Sequence, residues 1–180
     1  MRLLQRPFSV EPSRYNEPSA PDEQIDIAQL VKELALQKAL EVAVRTERGY
    51  VIGADTLVGP DNQIGIPFGK PRNHDDALFM LQQLSGRWHR VTTGVAIVSA
   101  ADAGECRQQA IDAVTTRVKF RSMTNRQIED YIATGEPFDK AGAYGAQGFA
   151  AQYIERVDGD FFNVVGLPIC RLSIMLDKLL

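Results

Sequence analysis

A carboxylate, two lysines and a glycine-rich loop are the features of this sequence that could do chemistry. Asp55 follows the apolar run 50–54, Lys38 lies in an apolar helical stripe, Lys70 stands in a loop, and residues 135–148 are rich in glycine. Carboxylate oxygens bind Mg²⁺ or Mn²⁺, lysines neutralise phosphate charge, and glycine lets backbone approach a ligand closely. The combination indicates a site for a polyphosphate with a divalent metal.

Each of these residues also has an ordinary structural explanation. Asp55 could cap or turn the chain after its strand, Lys38 could extend its ammonium from the edge of the core, and Lys70 could simply be solvated. A second chemistry also fits part of the pattern, since a lysine in an apolar pocket can form a Schiff base. Lys38 beside Asp55 would serve that reaction, which leaves Lys70 and the glycine-rich loop without a role.

Several other enzyme classes lack their motifs. The glycine-rich loop has no Gly-Lys-Ser/Thr ending, and no dinucleotide-binding fingerprint occurs, which disfavours P-loop kinases and dehydrogenases. His74 and His89 are isolated from any serine or cysteine in a nucleophile-elbow context. Cys106 and Cys170 are too few for a disulfide framework or a zinc site.

Composition describes an ordinary globular protein. The 180 residues are 44% hydrophobic and 24% charged, which predicts one domain spanning residues 1–180. A net charge of -3 argues against a nucleic-acid partner. No apolar stretch approaches the ~20 residues of a membrane span, and the N-terminus lacks a secretory signal, so we expect no membrane partner and a cytoplasmic location.

Hydrophobic periodicity predicts helices and strands that interleave along the chain, which is the pattern of an α/β protein with a mixed sheet. Asn73 is a helix cap, Thr124 and Gln127 form a capping box, and Pro168 opens the final helix. The predicted helices span residues 22–45, 73–84, 124–134 and 168–179. The predicted strands span residues 7–11, 50–54, 88–99, 110–122 and 150–157, with the third and fourth as an antiparallel pair.

A set of short motifs runs in order from about residue 7 to the C-terminus. Together they resemble the Maf family of nucleoside triphosphate pyrophosphatases. The motifs are Ala54-Asp55-Thr56, Gly69-Lys70-Pro71, Leu84-Ser85-Gly86, Thr93-Gly94-Val95, Gly135-Glu136-Pro137, Ala141-Gly142-Ala143-Tyr144-Gly145, Gln147-Gly148 and Asn163-Val164-Val165-Gly166-Leu167-Pro168.

The resemblance implies a fold and an activity. The fold would be the α/β architecture shared with inosine triphosphate pyrophosphatases, an elongated mixed central sheet flanked by helices. The activity would be hydrolysis of a nucleoside triphosphate to the monophosphate and pyrophosphate, with a divalent metal, Mg²⁺ or Mn²⁺, as cofactor. The resemblance also implies a homodimer.

Residue by residue, the resemblance places Asp55 on the family's proton acceptor and among its metal ligands, and Lys38 and Lys70 on its phosphate-site lysines. Glu17 falls on an acidic position that would complete the metal site. Thr56 and Gln147 match positions linked to base choice, which makes them substrate-binding residues by resemblance. The Ala-Asp-Thr and Tyr-Gly-x-Gln-Gly forms are similar to the branch acting on dTTP and UTP rather than on 7-methyl-GTP. The loop 64–70 is about three residues longer than the family usually has.

One departure concerns the N-terminus. Maf proteins begin with a strand and a Ser-x-Ser-Pro-Arg-Arg loop that holds phosphates, whereas this sequence opens at Met1-Arg2-Leu3-Leu4 and contains neither. We expect either a true start upstream of Met1 or a weakened relative. The weakened relative would bind nucleotides without turning them over, as a regulatory protein linked to septum formation.

Overall fold

The computed structural model of the chain describes residues 2–17, 25–61, 64–100 and 108–179, and a four-stranded sheet organises these residues. The strands are β1 (Ile25–Asp26), β2 (Gly49–Pro60), β3 (Ile64–Gly65), β4 (Trp88–Ala100), β5 (Gln109–Phe120) and β6 (Ile154–Asp158). The α-helices are α1 (Ile27–Ala43), α2 (His74–Leu84), α3 (Asn125–Ile132), α4 (Phe161–Val164) and α5 (Ile169–Leu179). Short 3-10 turns occupy Arg2–Leu4, Glu136–Asp139, Ala141–Ala143 and Phe149–Tyr153.

The main sheet has the order β2-β4-β5-β6, so β2 forms one edge. Its pairing with β4 runs from Gly49 opposite Ala100 to Pro60 opposite His89. β1 and β3 form a separate two-stranded ribbon. Because β2 pairs with only one strand of this sheet among the described residues, its other edge is available to loops and to a ligand.

Helix α1 packs across β2 and β4. The side chain of Asp26 caps its N-terminus by accepting hydrogen bonds from the backbone N–H groups of Ala28 and Gln29 at 2.9 and 3.2 Å. The helix residues Val31 and Ala35 are fully buried. Gly53 and Gly94 lie below its backbone, and a Cβ at either position would come within 2.2 Å of a helix carbonyl oxygen. Small residues on both sides therefore bring α1 close to the sheet.

The local helix signals of the sequence are confirmed. Asn73 caps α2 by accepting from the Asp76 N–H at 2.9 Å. Thr124 and Gln127 form the expected capping box of α3. Helix α5 begins one residue after Pro168 and buries Leu172, Met175 and Leu176. The antiparallel pairing of the third and fourth predicted strands is also confirmed, as β4 and β5.

Three details differ from the predictions within the α/β class, which is confirmed. Every strand pairing among the described residues is antiparallel, whereas a mixed sheet was expected. Residues 7–11 form no strand, because no strand of the described residues pairs with their backbone groups. The side chains of Phe8 and Val10 are exposed. The predicted strand 150–157 is a strand only over Ile154–Asp158, since Phe149–Tyr153 form a 3-10 turn.

The predicted helix 22–45 is observed over Ile27–Ala43, and its residues 22–24 lie outside the described ranges. None of the helices in the described part of the chain has both the length and the apolarity that a bilayer crossing requires.

Candidate functional site

A three-residue ionic cluster forms where α1 faces the middle of β2. The ammonium Nζ of Lys38 donates to Asp55 Oδ1 at 2.5 Å and lies 2.7 Å from Glu17 Oε1. Asp55 is in the middle of a twelve-residue strand, opposite Gly94, so it neither caps nor turns the chain after residues 50–54. The apolar residues Leu57 and Val58 continue β2 beyond Asp55, and both are buried.

Asp55 lies on the face of β2 that α1 covers. Gly53 and Asp55 are two residues apart, so both project toward the same face of the sheet. The absence of a side chain at Gly53 and Gly94 lets the helix come close enough for Lys38 to reach the carboxylate. Lys38 therefore does not extend freely into solvent, as one of its structural explanations had it, but pairs with Asp55.

Burial and charge act on the two central groups in opposite directions. Burial raises the pKa of the Asp55 carboxyl above its usual value, and the hydrogen bond and charge of Lys38 reverse part of that increase. Burial lowers the pKa of Lys38, but the hydrogen bonds to Asp55 and Glu17 outweigh it and the net pKa is raised. Lys38 is thus held firmly in its charged form, while Asp55 binds a proton more readily than an exposed aspartate.

Only one carboxylate oxygen of Asp55 is engaged. The side chain is 9% exposed, and Oδ2 finds no hydrogen-bond partner in the described part of the chain. A buried polar atom without a partner is costly and is usually explained by function, water or an ion. Oδ2 is therefore the free acceptor of the cluster.

The loop before α2 brings Lys70 to the same place. The N–H and the carbonyl oxygen of Val58 pair with the carbonyl oxygen and the N–H of Phe68, at 3.1 and 2.6 Å. The next carbonyl, that of Gly69, accepts from the Gly142 N–H at 3.0 Å. These bonds fix the loop against the free edge of β2. The charge of exposed Lys70 opposes the increase that burial causes in the pKa of Asp55, after the larger effect of Lys38.

These elements enclose a cavity of about 250 Å³. Its lining comes from the edge strand, the Lys70 loop, the glycine-rich segment and the end of α4. Among the lining residues are Lys38, Asp55, Thr56, Lys70, Asp139, Lys140, Ala141, Tyr144, Val165 and Gly166. Three lysines and two carboxylates in one small cavity suit a ligand with several negative charges.

Thr56 lines this cavity and belongs to a buried hydrogen-bond chain. The hydroxyls of Thr56 and Thr93 lie 2.9 Å apart, and the Thr93 hydroxyl donates to the Asn163 carbonyl oxygen at 3.1 Å. The Asn163 side chain is fully buried and donates to the Val91 carbonyl oxygen at 2.9 Å. The chain fixes the 163–166 segment beside Thr56, and Val165 and Gly166 of that segment line the cavity.

Two charged cavity residues were not singled out by sequence reasoning, and two predicted site residues do not line the cavity. Asp139 and Lys140 pair with each other at 2.5 Å and both line the cavity. Their signal was an adjacent acid and base inside the glycine-rich segment. Gln147 is exposed, and neither Gln147 nor Glu17 is among the residues that line the cavity; Glu17 contacts Lys38 instead.

A larger cavity of about 450 Å³ lies behind the Lys70 loop. Ile66, Phe68, Phe79 and Trp88 give it an apolar wall, and Lys38, Asp55 and Lys70 are not part of it. Its charged lining residues are one acid and one base, Asp61 and Arg87, which give no excess of positive charge for a polyphosphate. The smaller cavity is therefore the candidate site on chemical grounds.

The donors around Asp55 fit a divalent cation that arrives with its substrate. No group of three or more His, Cys, Asp or Glu side chains with metal-binding spacing occurs among the described residues. Mg²⁺ is commonly held by one or two carboxylates together with substrate phosphates rather than by an all-protein cage. The carboxylates of Asp55 and Glu17 provide that number of ligands.

The fold and the site define an α/β protein with an acidic and lysine-rich cavity at a sheet edge, and comparison with known proteins gives its family. The family model described as "Maf-like protein" matches residues 1–179. The chain belongs to the Maf family.

Curated relatives cover most of the chain. A protein of Clostridioides difficile (strain 630) named "dTTP/UTP pyrophosphatase" is 46% identical over 149 residues, which are 83% of this chain and 73% of the relative. A protein of the same name from Caldicellulosiruptor bescii is 43% identical over 176 residues, 96% of this chain and 84% of its own. One from Geobacillus sp. (strain WCH70) is 49% identical over 143 residues, 79% of this chain and 72% of its own.

Proposed function

We propose that this chain hydrolyses nucleoside triphosphates to the monophosphate and pyrophosphate, with dTTP and UTP as preferred substrates. The observation that carries the proposal is the meeting of Asp55, Lys38 and Lys70 around one cavity of about 250 Å³, with Glu17 paired to Lys38 beside it. The names of relatives that are 43–49% identical support the choice of dTTP and UTP.

Asp55 is the proposed base. Lys38 occupies Oδ1, which leaves Oδ2 to accept a proton from the water that attacks the phosphorus. Because burial raises the pKa of Asp55, its carboxylate is a stronger base than an exposed aspartate. The same burial keeps bulk water away from the reacting group.

Lys38 and Lys70 are the proposed phosphate-binding residues. Both line the cavity, and positive charge placed beforehand where negative charge accumulates lowers the barrier to phosphoryl transfer. Asp55 and Glu17 are the proposed ligands of a divalent cation, Mg²⁺ or Mn²⁺, which when bound neutralises charge on the leaving pyrophosphate.

Thr56 and Gln147 are the proposed residues of base choice. Thr56 lines the cavity and is held by the Thr93 hydroxyl, so its position is fixed. Gln147 stands three residues after Tyr144, which lines the cavity, and its exposed side chain is available to a bound base.

The test is pyrophosphate release from dTTP, UTP, CTP and 7-methyl-GTP with Mg²⁺ or Mn²⁺. We expect dTTP and UTP to be turned over, and an Asp55→Asn variant to lose about 10²–10⁴-fold in kcat, the usual contribution of a general base. Asp61→Asn is the matched control, because Asp61 pairs with Arg117 at 2.7 Å and does not line the site. Its turnover should equal that of the wild type.

Two results would contradict the proposal at different levels. A folded wild-type chain that releases no pyrophosphate from any of the four nucleotides would refute the activity. Turnover by Asp55→Asn at the wild-type rate would refute the role of Asp55 and leave the activity in place.

A further inference from the structure

One carboxylate closes the base of the segment 136–149. Glu136 Oε1 accepts from the Tyr131 hydroxyl at 2.8 Å, and Glu136 Oε2 accepts from the Phe149 N–H at 2.8 Å. The Tyr131 hydroxyl in turn accepts from the Gly145 N–H at 3.2 Å. The first residue of the segment is thus bound to its last, and a residue of α3 holds its middle.

The chain leaves room for this carboxylate only because side chains are absent next to it. A Cβ at Gly148 would lie 2.1 Å from Glu136 Oε2, and one at Gly145 would lie 3.1 Å from Oε1. The φ of Gly148 is −104°, a value open to other residues, so backbone conformation is not what requires glycine there. The contact with Glu136 requires it.

The Tyr131 hydroxyl stays a hydrogen-bond donor across the pH range of ordinary assays. Burial, followed by the hydrogen bond to Glu136, raises the pKa of the Tyr131 hydroxyl well above its usual value. The hydroxyl therefore stays protonated and remains a donor to the carboxylate.

The segment that Glu136 closes supplies part of the wall of the candidate site. Asp139, Lys140, Ala141 and Tyr144 all lie between its ends and line the cavity that contains Asp55. Glu136 itself does not line that cavity. Any effect of Glu136 on the site therefore acts through the residues that it positions.

We propose that Glu136 is a positioning residue that sets the 139–144 wall of the cavity and thereby the affinity for nucleotide, without contacting the nucleotide itself. This inference rests on the proposed function for the identity of the ligand. It predicts an effect on binding rather than on the chemical step, because Asp55 and Lys38 belong to β2 and α1.

The hydrogen bonds of Glu136 with Tyr131 and Phe149 are called the clamp of this segment. The test compares three clamp variants with the wild type and with one control. In Glu136→Gln the amide nitrogen cannot accept a hydrogen bond, so one of the two bonds is lost. Gly148→Ala places a methyl group against Glu136 Oε2 and so displaces the carboxylate from the Phe149 N–H. Tyr131→Phe removes the hydroxyl that donates to Glu136 Oε1. Thr124→Ala is the control, because it removes the exposed N-cap of α3 and destabilises the protein by a comparable amount without touching the segment.

We expect Glu136→Gln and Gly148→Ala to raise the KM for dTTP about tenfold, the size of one lost hydrogen bond to a charged group, with kcat within about twofold. The affinity for a non-hydrolysable dTTP analogue, measured by calorimetry, should fall by the same factor. Hydrogen exchange of the amides at 145–149 should accelerate. Tyr131→Phe should show a smaller change in the same direction, and Thr124→Ala should leave KM unchanged.

The inference is overturned if exchange accelerates at 145–149 while KM and analogue affinity stay at wild-type values. It is also overturned if Thr124→Ala raises KM as much as Glu136→Gln, because general loss of stability would then explain the effect. A wild-type chain without turnover contradicts the proposed function. A wild-type chain with turnover whose clamp variants keep its KM contradicts the positioning role alone.

Discussion

The tight packing of α1 on the sheet predicts that a single methyl group at Gly53 will disturb both stability and the site. A Cβ there would lie 2.2 Å from the Ala35 carbonyl oxygen and 2.9 Å from the Ala39 nitrogen. Both atoms belong to the helix backbone, so neither can move without the helix. Gly53→Ala therefore forces α1 away from β2.

The size of the effect follows from these distances. Ordinary van der Waals contact requires the helix to withdraw by about 1 Å, and overpacking of this kind costs about 3 kcal/mol. Lys38 lies between Ala35 and Ala39 on the helix and moves with it. Its 2.5 Å hydrogen bond to Asp55 then exceeds hydrogen-bonding distance. A misplacement of about 1 Å at a catalytic group costs roughly 10²-fold in rate, which is the loss in kcat/KM expected here.

Gly59→Ala is the matched control on the same strand. A Cβ at Gly59 would meet the side chain of Ile27, with Cδ1 at 2.3 Å and Cγ1 at 3.8 Å, and the tip of an isoleucine side chain can change rotamer. Thermal unfolding and pyrophosphate release from dTTP measure the two effects. We expect Gly53→Ala to lower Tm by about 10 °C, and Gly59→Ala to lower it by a few degrees at most with turnover retained.

The reasoning is refuted if Gly53→Ala and Gly59→Ala have the same Tm and the same kcat/KM. A variant with a lowered Tm but wild-type kcat/KM at a temperature where it is folded would refute the link between helix position and Lys38, and would leave the packing argument in place.

Two further predictions concern buried ionisable groups. Lys38→Met leaves the carboxylate of Asp55 without its hydrogen-bond donor, so we expect a loss of about 2 kcal/mol in urea unfolding at pH 7.5 and at least tenfold slower turnover, and an unchanged unfolding free energy would contradict the pairing. His89 is buried, and burial lowers its pKa to about 4, so protons bind preferentially to the unfolded state as pH falls below 6.5. The stability present above pH 6.5 should fall by about 2 kcal/mol by pH 5, and a His89→Phe variant should lose less over that interval; equal losses would show that His89 does not cause the slope.

The local signals of the sequence predicted the elements that depend on neighbours in the chain. The cap at Asn73 and the capping box of Thr124 and Gln127 involve residues three apart or less, and both are present in the structure. The apolar face of the final helix was predicted equally well, since its buried residues Leu172, Met175 and Leu176 repeat at helical spacing. Interactions of this range are contained in the sequence itself.

Elements that need a distant partner were predicted less well. Residues 7–11 have the composition of a strand and remain outside any sheet, because a strand forms only where another strand accepts its hydrogen bonds. The β2 strand extends to Pro60 because β4 pairs with it along its whole length. Strand boundaries are therefore set by pairing more than by the residues of the strand.

The sequence by itself determined which charged groups interrupt apolar or glycine-rich stretches, and so Asp55, Lys38 and Lys70 could be selected from it. The tertiary structure decided that Lys38 and Asp55, seventeen residues apart, form an ion pair with Glu17 beside them. It also brought Lys140 to the same cavity and set Glu136 at the base of the loop that carries it. The physical reason is that sequence patterns report short-range geometry, whereas the pairing of charges depends on how closely a helix packs on a sheet.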